Sequence, residues 1–229
     1  MDSSQQLFLG HRLADVLRPF PLRSDYRTRR IVVLVVGLWL YGLGNSLIIL
    51  AHLGLDPWNV LQEGISMKTQ IPLGVCIILV GVVVLLAWIP FRQRLGLGTV
   101  LNVLIIGSIV TAVMKVLNYP SELWIRLLYL GVGILLVAAA TSLYISTDFG
   151  PGPRDGLMTA IAARGRSIRL VRSSIEITVL VGGWLLGGDI GVGTLVFAAT
   201  IGPLVHVFLP FARLHLFNDN TASPTTDKT

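Results

Sequence analysis

The sequence predicts an all-α membrane protein. About six transmembrane helices are expected, arranged as two three-helix inverted repeats, each with a short broken or re-entrant helix after its first span. Three observations predict this. Of the 229 residues, 53% are hydrophobic and only 13% charged, with a mean hydropathy of +0.76; a soluble domain of this length has no need for so few charges. The apolar residues gather in runs long enough to cross a hydrocarbon layer of roughly 30 Å at about 1.5 Å per helical residue. Finally, the stretch "GLDPWNVLQEG" at 54–64 has a near-copy, "GPGPRDGLMTA", at 150–160, each just after a long apolar run.

In chain order, residues 1–30 are polar and Arg-rich, and no short apolar core precedes the first long run, so no cleavable signal peptide is expected. Leu9, Leu13, Val16 and Leu17 share one helical face opposite Arg12 and Arg18. That pattern suits an amphipathic helix on the membrane surface; the plainer alternative is a disordered tail. Spans follow at about 31–53, 71–90, 96–116, 124–147, 171–187 and 191–211. The first repeat therefore covers 31–116 and the second 124–211. The last stretch, within 212–229, is polar and expected to be disordered.

The net charge of +6 is a matter of topology. Fifteen of the 18 Lys and Arg residues fall in the N-terminal segment, the loops at 90–96 and 148–172, and the C-terminal tail; only Lys68, Lys115 and Arg126 fall on the other side. This split puts both termini in the cytoplasm. The basic balance therefore points to anionic headgroups of the bilayer and away from nucleic acid. Trp124 and Trp184 lie towards span ends, where amphipathic rings sit. Cys76 is the single cysteine, so neither an intramolecular disulfide nor a cysteine metal site can be built.

The duplication extends beyond the opening pair. With Gly54 set on Gly150, "NSLIILAHLG" falls on "TSLYISTDFG", Gly37 on Gly133, and Trp88 on Trp184. With one gap, "GLGTVLNVLIIG" (96–107) falls on "GVGTLVFAATIG" (191–202). Leu and Val match easily by chance in apolar sequence; Gly, Pro, Ser, Thr and Trp in the same order do not. Each half holds three spans, an odd number, so the second half enters the membrane from the opposite side. The first break then faces outside and the second the cytoplasm.

The stretches "GLDPWN", "GLGTVLN", "DFGPGPRDGLM" with "SIRLVRSSIE", and "GVGTLVFAATIGPLV" together resemble the YczE/YitT-type bacterial membrane protein family, over about residues 31–211. The resemblance implies a multi-pass protein of the bacterial plasma membrane. It implies no settled activity.

At the first break, Asp56 is placed to cap a helix with Pro57 at its first position. Gly152 and Pro153 take those places in the second copy, with Arg154 and Asp155 where the first has Trp58 and Asn59. Two short helices are expected, roughly 56–67 and 153–164, too short to cross alone. They are either surface helices in loops or half-helices whose free N–H groups face a solute. Asp56, Trp58, Asn59, Gly152, Arg154 and Asp155 are the candidate solute-binding residues; an Arg here favours an anionic group, whereas the plainer alternatives are a local pair with Asp155 or a cytoplasmic Arg of the positive-inside kind. Gly54, Pro57, Gly150, Pro153, Gly98 and Gly193 are candidates for helix breaking and packing.

Glu176 is an acidic residue inside an apolar run and a candidate for proton coupling, or else a partner of Arg172 one turn away. His52 and Asp148 occupy equivalent positions two residues before each motif glycine. They are candidate gates or simply polar span ends. Asn102 and His206 are expected to bond neighbouring helices. The glycines of 182–188, with Gly183 and Gly187 four apart, suit close helix packing within the chain or in a homodimer. The four histidines, His11, His52, His206 and His215, show no metal-ligand spacing, and no phosphate loop, zinc-protease motif or nucleophile elbow is present. Neither enzyme activity nor a cofactor or metal is expected. The sequence favours a small secondary-transporter-like permease for a small solute. The alternative is a non-transporting scaffold or accessory protein of a membrane-associated biosynthesis or export system.

Overall fold

The computed structural model describes residues 27–217. The surface helix expected before residue 27 and the tail beyond 217 lie outside the described residues. Among the described residues all regular structure is helical: α1 Arg27–Ala51, α2 Pro57–Thr69, α3 Leu73–Ala87 with a 3-10 turn Ile89–Phe91, α4 Leu97–Val116, α5 Leu123–Ser146, α6 Pro153–Ala162, α7 Ile168–Leu185 and α8 Val192–Phe217. Five of these, α1, α3 with its 3-10 turn, α4, α5 and α8, are long and apolar enough to cross a membrane. The sixth expected span forms α7. It is a helix of 18 residues, but Arg169, Arg172 and Glu176 lie in its first half. Its hydropathy therefore falls short of the other five, and only Val171 and Gly183 are buried.

α1 and α5, the first spans of the two halves, pack along each other through small residues. A Cβ on Gly44 would lie 2.9 Å from the Gly133 carbonyl oxygen, and one on Gly133 would lie 2.8 Å from that of Gly44. Backbones this close leave room for glycine alone. α4 packs on α1 and α8 on α5; α2 packs on α7 and α3, and α6 on α3 and α7. α3 also runs along α4, whereas α7 and α8 scarcely meet after their connecting turn. Large apolar side chains such as Leu79, Val83, Leu127, Leu195 and Val207 point outward. A water-facing protein would not carry so wide an apolar coat, and a lipid-facing one requires it.

The helix ends explain the repeated motif. α1 stops where His52 (φ 48°) and Gly54 (φ 103°) enter the left-handed region, and α5 stops where Asp148 (φ 55°) and Gly150 (φ 113°) do the same. Arg126 closes the first end by donating to the carbonyls of Ala51 (2.7 Å) and His52. Arg30 reaches the second end, 3.8 Å from Asp148. Each break is then held by the Gly-x-Gly-Thr stretch of the other half. The Gly98 N–H donates to the Phe149 carbonyl at 3.0 Å, and the Gly193 N–H to that of Leu53 at 2.5 Å.

Candidate functional site

α2 begins as the sequence predicts. The Asp56 carboxylate accepts from the N–H groups of Trp58 (3.2 Å) and Asn59 (3.4 Å), and Pro57 occupies the first position. Asp56 also accepts from the Asn59 side-chain amide, which donates in turn to Asn45 Oδ1 at 3.1 Å. Asp56, Asn59 and Asn45 are all buried. α2 buries one face, including Trp58, Val60, Gln62 and Gly64, and its last residues, from Met67 on, are exposed.

α6 begins differently. Gly152 stands at its N-cap and offers no side chain, so the first N–H groups have no side-chain acceptor. Its Arg154 crosses to the other break. Nη1 lies 3.0 Å from Asp56 Oδ1, and the guanidinium sits 5.3 Å from the centre of the Trp58 ring. The Asp56 side chain is almost fully buried and that of Arg154 about a quarter exposed. A carboxylate in such surroundings is tolerable only with hydrogen bonds and a counter-charge, and Asp56 has both. Two positions 98 residues apart in sequence are thus joined at the starts of the two short helices.

A cavity opens beside this pair, with about 540 Å³ of empty space that includes part of the open exterior. Trp58, Gln62, Arg154 and Asp155 line it from the two short helices, Tyr41 and Tyr144 from α1 and α5, and Asn102 from α4. Asp155 accepts from the Tyr144 hydroxyl at 3.3 Å. Among the described residues no cation lies within ion-pair distance of Asp155. Trp88 is fully buried behind the site and donates from Nε1 to the Pro153 carbonyl at 3.1 Å, which fixes the start of α6.

The candidate residues thus divide. Asp56, Trp58, Asn59, Gly152, Arg154 and Asp155 come together. Gly54, Pro57, Gly150, Pro153, Gly98 and Gly193 shape the breaks around them. Arg172 and Glu176 form an exposed pair one turn apart at 3.0 Å on α7, with Arg172 in electrostatic range of Asp155. His52 and Asp148 lie at the two helix ends, away from the cavity, with the His52 ring tilted against that of Tyr119, centres 4.3 Å apart. Asn102 lines the cavity, and His206 is exposed on α8; among the described residues neither makes the expected bond to a neighbouring helix. Gly183 packs on the backbone of Val60 and Leu61, and Gly187 (φ 100°) makes the turn after α7, so both serve the chain's own packing. Tyr41, Asn45, Gln62 and Tyr144 escaped the sequence reading. Asn45 carried a usable signal, a polar amide within an apolar span.

Outward-facing apolar helices around an internal polar cavity define a multi-pass helical membrane protein. The chain belongs to the family of unknown function DUF6198, whose model matches residues 28–210. It is 43% identical over 187 residues to a Haemophilus influenzae protein described as uncharacterized, covering 81% of this chain and 85% of that one. In Bacillus subtilis it is similar to the uncharacterized protein YyaS (30% over 190 residues, 81% of this chain and 94% of the relative). It also resembles the uncharacterized membrane protein YczE of that organism (29% over 177 residues, 76% and 82%). The YczE-type resemblance in the sequence therefore holds. No solved structure matches the chain.

Proposed function

We propose that the chain is a small secondary-transporter-like permease of the bacterial plasma membrane, with cytoplasmic termini. In this reading it is built from two inverted repeats and binds a small solute where its two half-helices meet. The observation that carries this is the Asp56–Arg154 pair beside the cavity, which joins the starts of the two duplicated short helices. Half-helices that converge on an internal cavity are how inverted-repeat transporters build a site near the bilayer midplane.

Crosswise pairing of equivalents supports the inversion. Gly98 holds Phe149 as Gly193 holds Leu53, and Arg30 and Arg126, 96 residues apart, each reach the helix end of the opposite half. α7 then completes the second repeat as the counterpart of α3, its charged first half lying at the cytoplasmic surface. No catalytic step is part of this reading.

The test is uptake by the purified protein in sealed vesicles, screened over small solutes with and without a proton gradient. The proposal expects saturable uptake of at least one solute, reduced at least about tenfold by Arg154→Met. No uptake above empty vesicles for any solute favours the scaffold alternative.

A further inference from the structure

The two half-helices differ at one position that matters for a ligand. At α2 a built-in carboxylate, Asp56, receives the first N–H groups. At α6 the equivalent residue is Gly152, and those N–H groups have no side-chain acceptor. A Cβ placed on Gly152 would stand 3.0 Å from the Tyr144 hydroxyl, 3.6 Å from Asp155 Oδ2 and 3.8 Å from Asn102 Nδ2. All three residues line the cavity. At that position the second copy has no side chain, and the Tyr144 hydroxyl, Asp155 Oδ2 and Asn102 Nδ2 stand around it.

Two residues that line the same cavity each carry a buried polar atom without a partner. Trp58, 5% exposed, has an Nε1–H without an acceptor, and Gln62, 3% exposed, has an Oε1 without a donor. A buried polar atom without a partner costs free energy until something supplies the bond. One is a donor and one an acceptor, so a ligand that completes both must present groups of both kinds.

The charges narrow the class. Arg154 is matched by Asp56 and Arg172 by Glu176. Among the described residues Asp155 is the cavity carboxylate without a cation at ion-pair distance. At α2 the capping carboxylate is also received by the side-chain amide of Asn59. The counterpart of Asn59 is Asp155, which as a carboxylate donates nothing and repels a bare anion beside it. An anion that carries its own ammonium group removes the conflict, because the ammonium then faces Asp155.

We propose that the cavity binds a zwitterion of amino-acid type. Its carboxylate takes at α6 the place that Asp56 takes at α2, on the free N–H groups and near the Trp58 Nε1–H. Its ammonium faces the Asp155 carboxylate and Gln62 Oε1. This rests on the reading of the cavity as a solute site, and it makes Gly152 and Asp155 the residues that set ligand class.

The experiment is calorimetric binding to the purified full chain in detergent. The probes are the standard α-amino acids, and for each binder its deaminated acid and its decarboxylated amine. At least one amino acid is expected to bind, with both analogues weaker by about tenfold or more. Gly152→Asn supplies a neutral cap beside the Tyr144 hydroxyl, 3.0 Å from the added Cβ; a thermal melt checks that it folds, and the folded variant should lose the amino acid by at least about tenfold. Asp155→Asn recreates the Asn59 arrangement and should reverse the preference, so that the deaminated acid binds more tightly than the amino acid. Equal binding of either analogue to the wild type, no reversal in Asp155→Asn, or no binding of any amino acid overturns the inference. Uptake of another solute class with no amino-acid binding leaves the permease standing. Amino-acid binding with no uptake of the same compound into vesicles leaves the zwitterion site and removes the permease.

Discussion

Asp56 shows how one side chain can hold two distant pieces of chain. It caps α2, orders Asn59 and neutralises Arg154 from the other half. Removing one member of a buried pair costs more than removing both, because the survivor is left charged without a partner. Arg154→Met should therefore destabilise the protein by roughly 3 kcal/mol, measured by denaturation in detergent. Adding Asp56→Asn, which keeps a capping side chain without the charge, should recover part of that loss. If the double variant loses the sum of the two single losses, the pair carries no coupling. The sequence supplied the cap, since Asp-Pro before a short helical stretch is a helix-start signal. It gave no sign that Arg154 would reach Asp56, because charge pairing across 98 residues depends on how the breaks pack. The cavity residues Tyr41 and Tyr144 were hidden for a related reason: a tyrosine in an apolar span reads as packing until the neighbouring helices are in place.

The breaks and their clasps are the informative elements. Gly54 and Gly150 adopt left-handed backbone, and the Gly-x-Gly-Thr stretches press against them. A Cβ on Gly193 would meet the carbonyl oxygens of Gly54 and Leu53 at 2.7 and 2.8 Å, backbone atoms that cannot yield. A Cβ on Gly98 would meet the Phe149 Cβ at 3.1 Å and that residue's carbonyl oxygen at 3.3 Å, a looser fit. Gly193→Ala should thus destabilise more than Gly98→Ala. Gly150→Ala should cost about 1–3 kcal/mol from its backbone conformation alone. Thermal melts of the three variants check the order. These elements were legible in the sequence because glycine and proline in duplicated order have few other uses. α7 was legible only in part. Its length and helical period were clear, but three charges in its first half separate it from the five apolar spans. Hydropathy alone does not decide whether such a helix crosses or enters at an angle.

At the scale of the whole molecule, the halves are alike in sequence and unlike in packing: α3 lies along α4, and α7 diverges from α8. On the permease proposal this difference is one of two alternating arrangements, and the other parts α3 from α4. Gly81 and Val103 lie where these helices touch, with the ideal Cβ of Gly81 3.4 Å from Val103 Cβ, near the roughly 3.8 Å usual for a disulfide. Cysteines at both positions, with Cys76→Ala, should stop uptake when oxidised and release it when reduced. Undiminished uptake in the oxidised protein would show that α3 and α4 need not separate. Inversion of the repeats places the two short helices on opposite sides of the membrane, which an impermeant thiol reagent on intact cells can read. Single cysteines are placed at the exposed far end of α2, Lys68→Cys, and in the exposed turn that follows α6, Arg166→Cys, in the Cys76→Ala background. If the repeats are inverted, the cysteine at 68 reacts in intact cells and the one at 166 only after the membrane is opened; reaction of both from the same side rules inversion out.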